Sequence, residues 1–222
     1  VLEEGLAVDA SRGHFKPEPL RQRAAVLTDV GWYIPLQTLA DNFYFQQHEV
    51  EYLEAGALVA YLTDTYGWEA FDAFYRDIHL VGEQTPSEAI GSALRVHFDI
   101  SFNDLEQDFL AYLDDQEVSD EIRADLLLTV ELYDTIRRYQ ELLDPSAYFL
   151  TAWLPDAPTM QERGIVSDYL RHPSGLWNRV IESQLLFADE QLRSGDFDQL
   201  GRTLKWVNFL LDVFQRFRGT SQ

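Results

Sequence analysis

Two residues have the type and setting to do chemistry. Glu4 lies in helix-like sequence, Val1-Leu-Glu-Glu-Gly-Leu-Ala-Val8, where three- and four-residue spacing places it on one face with Val1 and Val8. A carboxylate rising from an apolar stripe is costly unless a metal ion or a buried cation compensates it. The same position also suits a solvated first-turn glutamate favoured by the helix dipole. Tyr52 stands opposite the stripe Val50, Leu53 and Ala57, on a face made of Ala55, Gly56 and Val59 that another group can approach closely. A hydroxyl there can donate to a developing oxyanion; equally, the ring can pack half-buried against a neighbouring helix.

Other chemistries find less in the chain. The five histidines are His14, His48, His79, His97 and His172, and no pair has the three- or four-residue helical spacing of a chelate. Each reads as a surface or helix-end residue, His79 and His97 being placed near predicted helix C-termini. With no cysteine present, disulfides, thiol nucleophiles and thiolate metal sites are removed, and any metal must be held by histidine and carboxylate. There is no Gly-x-Ser-x-Gly elbow, no Gly-x-Gly-x-x-Gly and no P-loop. Carboxylates are so numerous that an acidic pair suited to glycoside hydrolysis would be a coincidence of counting.

The elements that must position these residues are helices, because apolar residues recur at three and four and nowhere alternate convincingly. The first helix should end by Gly13, and Pro17, Pro19, Gly31 and Pro35 divide residues 12–47 into short helical pieces. A helix over 48–66 is closed by Gly67, and a shorter one follows over about 68–80. Thr85-Pro-Ser-Glu88 reads as a capping box opening a helix to about His97, and Ser101 caps the next. The acidic run Asp114-Asp-Gln-Glu-Val118 marks a boundary between domains at 1–115 and 118–222. Beyond it, helices are predicted at about 119–143, 146–154, 158–171, 174–194 and 197–218. Gly195-Asp196 forms a tight turn, so Trp177, Ile181 and Leu185 face Leu204, Val207, Leu211 and Phe214 across a helical hairpin. The fold class is therefore all-α.

The 222 residues carry 46% apolar and 14% aromatic side chains, enough for a core without staples. Seventeen lysines and arginines against thirty-eight acids give a net charge of −21, which excludes nucleic acid and anionic membrane as main partners. No apolar run approaches the roughly 18 residues of a spanning helix, so no membrane insertion by this segment is expected. The chain opens inside helix-like sequence at Val1, with no initiator Met or targeting segment, and reads as a fragment of a longer protein whose compartment is left open.

Glu4-Gly-Leu-Ala7 preceded by Leu2, Tyr52-Leu-Glu-Ala-Gly56, and Leu58 through Tyr66-Gly67 together resemble the downstream half of gluzincin metallopeptidases, the peptidase MA superfamily. Phe98 through Leu113 resembles the end of that domain in bacterial members, with Phe109 where the family often has Trp. The resemblance covers about the first half of the chain. It implies that Glu4 is the third zinc ligand and Tyr52 the hydroxyl that stabilises the tetrahedral intermediate, the Tyr52 to Gly56 stretch being one residue longer than the family's. It also implies a peptide or protein substrate for the parent, zinc in the complete protein, and a parent that is secreted or membrane-anchored. The family's HExxH is absent: the nearest string, His48-Glu-Val-Glu-Tyr52, ends in Tyr where the second imidazole belongs. Under this reading the missing N-terminal peptidase segment precedes Val1, and the chain alone holds no zinc and is inactive. The alternative is a non-catalytic, acidic α-helical interaction module that binds a partner segment. The peptidase reading expects Glu4 and Tyr52 to converge on an open cleft whose remaining wall is missing; the module reading expects them apart, with Glu4 solvated or salt-bridged.

Overall fold

A computed structural model describes residues 1–14, 16–143 and 175–219, with side chains to residue 216. The described residues are helical, with no strand among them. They run α1 (Leu2–Ser11), α2 (Leu20–Asp29), α3 (Leu36–Asp41), α4 (His48–Tyr66), α5 (Trp68–Arg76), α6 (Pro86–His97), α7 (Phe102–Asp114), α8 (Asp120–Leu143), α9 (Leu176–Ser194) and α10 (Phe197–Gly219). The chain divides into two compact units, Val1–Arg123 and Ala124–Gln222. The expected helices at 146–154 and 158–171 lie outside the described residues.

Helix ends follow the local chemistry. α4 begins where the Gln47 side chain accepts the Val50 N–H at 2.8 Å, and stops at Gly67, whose φ of 83° suits a residue without a Cβ. Thr85 with Glu88 and Ser101 with Asp104 both close capping boxes at the starts of α6 and α7. In the first unit α4 is the hub. Its residues 49 to 62 are buried on every face except at Tyr52, which is half-buried, so the Val50, Leu53, Ala57, Tyr61 stripe is only one side of a core helix. α1 lies on α4 at very short range: a Cβ on Gly5 would meet the Ala55 carbonyl oxygen at 2.3 Å, and one on Gly56 would meet Val8 at 2.6 Å. α2 and α7 are joined to α4 by a polar trio, in which Arg21 donates to Asp64 and to the Tyr112 hydroxyl, and Tyr112 donates to Asp64 at 2.9 Å.

In the second unit, α9 and α10 pair across Gly195, which takes the left-handed conformation at φ 75°, with the Asp196 carboxylate accepting the Gln199 N–H. Ile181, Leu185, Leu204, Val207 and Leu211 are fully buried, while Trp177 is half exposed and meets Phe214 edge-on at 5.2 Å. The fully buried Tyr139 of α8 donates its hydroxyl to Glu182, and Asn178 donates to that same hydroxyl at 3.1 Å.

Candidate functional site

The close approach of α1 to α4 decides what happens at Glu4. With Gly5 against Ala55 and Val8 against Gly56, the preceding residue is brought to the N-terminal part of α4. There the negative charge of Glu4 bears on the Tyr52 hydroxyl, and Tyr44 donates its own hydroxyl to Glu4 Oε1 at 2.7 Å. Glu4 and Tyr52, 48 positions apart in the sequence, are both half-buried. The small face beside Tyr52 is approached closely, and what approaches it is α1.

Electrostatics keeps both phenols neutral. Burial, then the negative charge of Glu4, pushes the Tyr52 hydroxyl well above the usual tyrosine range. Tyr44 is also raised, chiefly because it donates to Glu4. A phenol held in its protonated form donates a hydrogen bond and does not act as a base.

Tyr44 is placed by Glu51, a buried carboxylate that accepts its backbone N–H at 3.0 Å and that of Gln46 at 3.3 Å. That contact holds Tyr44 at φ 74°, a conformation uncommon for a residue with a side chain. Tyr44 and Phe45 are 66% and 85% exposed, so large apolar surface borders the site.

Sequence spacing gave no sign that two histidines join this cluster. His48, at the first turn of α4, presents Nε2 to Nε2 of His14 at 3.2 Å. Both rings pack on Tyr52, His14 stacked at 4.3 Å and His48 tilted at 4.5 Å between centres. His48 is a helix-end residue, as expected, but spacing did not reveal that it and His14 are neighbours. Chelate spacing applies within one helix, whereas His14 arrives from the α1–α2 connection, shaped by Arg12 at φ 61° and by Glu18. Glu18 accepts the His14 N–H at 3.0 Å and is itself paired with buried Arg23. Only the His48 to Tyr52 spacing of one helical turn was legible in advance. His97, as expected, closes a helix, facing Asp77 at 3.1 Å.

The zinc centre implied by the family resemblance does not fit these residues alone. Glu4 contributes one carboxylate, to which the Tyr44 phenol already donates. Among the described residues no group of three or more histidines, aspartates and glutamates converges to hold a metal ion.

A second polar group lies deeper. Glu54, fully buried on α4, accepts the Ile34 N–H at 2.9 Å, while its other oxygen has no partner among the described residues. Burial raises its carboxyl well above the ordinary value, with Glu106 nearby adding to the effect. A depression of about 580 Å3 lies apart from all of these and is lined by Gln37, Ser87, Glu88, Arg95 and Phe102 among others. Its Glu88 is committed to the α6 cap. Compared with known protein families, curated proteins and solved structures, the chain matches none.

Proposed function

We propose that this chain is the C-terminal helical portion of a zinc-metallopeptidase-like protein of the gluzincin kind, acting in the whole protein on peptides or proteins. The observation that supports this reading is the close α1–α4 approach, which brings the charge of Glu4 to bear on the Tyr52 hydroxyl. The two positions that the resemblance assigns to one active site are neighbours, as this reading needs, whereas an interaction module has no need to bring them together. In this reading Glu4 supplies a single ligand, and the HExxH residues come from sequence preceding it. What this chain's own residues do is narrower. Tyr52 holds a proton on its hydroxyl and donates it as a hydrogen bond to the oxyanion of the tetrahedral intermediate. Tyr44 orients Glu4, and the chain on its own hydrolyses nothing.

The test is expression of the complete parent protein with assay of zinc content and peptide hydrolysis. Tyr52→Phe should lower kcat by about 10²–10³-fold with zinc content unchanged, and Glu4→Gln should lose the zinc. A parent without an HExxH, or a Glu4→Gln protein with full zinc and activity, would overturn the reading.

A further inference from the structure

We propose that His14 and His48 bind one divalent transition-metal ion between their Nε2 atoms. The site goes beyond the peptidase reading, for it uses neither Glu4 nor Tyr52 as a ligand and stands whether or not that reading does. Its geometry is that of two imidazoles on a common ion. At metal–nitrogen distances near 2.05 Å, a tetrahedral angle puts two such nitrogens about 3.3 Å apart and the ring centres about 5.2 Å apart. The observed separations are 3.2 Å between nitrogens and 5.1 Å between centres, with the rings inclined at 63°. Without an ion the same separation serves an N–H···N hydrogen bond between the two rings, which metal binding would replace.

The surroundings fit as well. Glu51 Oε1 lies 3.7 Å from His48 Nδ1, and this carboxylate is almost wholly buried. A carboxylate behind the far nitrogen is the usual device that turns the ε nitrogen of a histidine toward an ion. Tyr52, packed on both rings, fixes their faces. The loop carrying His14 is pinned by Glu18, so the pair is held by buried structure on both sides. Imidazole donors suit zinc, nickel and copper and do not suit magnesium or calcium. Two protein ligands leave positions for water or for a small donor ligand.

The experiment is calorimetric titration of the EDTA-treated 222-residue chain with Zn2+. One equivalent should bind, binding should vanish in His14→Gln and in His48→Gln, and it should persist in Glu4→Gln. Glu51→Gln should weaken it about tenfold or more. Failure of the unmodified chain to bind, or binding retained in both histidine variants, would overturn the site. Loss in Glu4→Gln with retention in the histidine variants would also overturn it, by moving the ion to the carboxylate of the peptidase reading. Because a histidine variant can fail to fold, 15N spectra of the unmodified chain provide a second measurement. Zn2+ should shift Nε2 of His14 and His48, and shifts confined to the other histidines would refute the proposal.

Discussion

At Glu54 a carboxyl is enclosed by α4 and its neighbours with only the Ile34 N–H to serve its charge. Its pKa in the folded chain is raised above the ordinary 4.5 by burial. Below that ordinary value both folded and unfolded chains keep the proton, and the group costs nothing. As pH rises past it, the unfolded chain releases its proton first, so stability falls until pH passes the folded pKa. Glu54→Gln cannot ionise and keeps an oxygen for Ile34. Its advantage over the unsubstituted chain should be near zero at acid pH and grow toward neutrality, as read by urea denaturation at about pH 5 and about pH 8. An advantage that is flat with pH would show that Glu54 is already neutralised by a partner. Nothing in the sequence distinguishes Glu49, Glu51 and Glu54 from solvated helix acids, because their fate depends on what packs around α4.

For the helices, the same reasoning separates two glycines. A Cβ at Gly5 would collide with the Ala55 backbone carbonyl, which cannot turn aside, so Gly5→Ala should cost about 1–3 kcal/mol or more. Gly91, inside α6, has nothing nearer than Phe102 at 3.8 Å, and Gly91→Ala should stabilise by about 0.5–1 kcal/mol. Paired thermal denaturation checks both signs. The contrast tracks what the sequence disclosed. Helix limits at Gly67, at the Thr85 and Ser101 capping boxes and at Gly195 were legible because caps are local hydrogen-bond chemistry. The encirclement of α4 was not, since a helix buried on most faces loses the one-sided apolar pattern by which helices are read. The nearness of Glu4 to Tyr52 was expected from the family resemblance alone, because no local spacing rule joins residues of two separate helices. His14 with His48 was hidden, because a loop residue and a helix-start residue 34 positions apart share no spacing rule.

Over the whole molecule, a net charge of −21 sets acid against acid. Raising salt from low ionic strength to about 0.15 M shortens the Debye length to about 8 Å and weakens that repulsion. The urea midpoint should therefore rise with salt; a fall would mean that pairs such as Arg21 with Asp64 and Arg123 with Asp29 outweigh the repulsion. The position of α4 within the first unit bears also on biosynthesis. α4 leaves the ribosome well before α7, yet Tyr61 of α4 packs on Phe109 of α7, and Asp64 awaits Tyr112. Through the synthesis of some forty further residues, a helix apolar on most faces has only part of its cover. Nascent chains of this protein therefore pass through an interval of aggregation risk that ends when Phe102–Asp114 emerges.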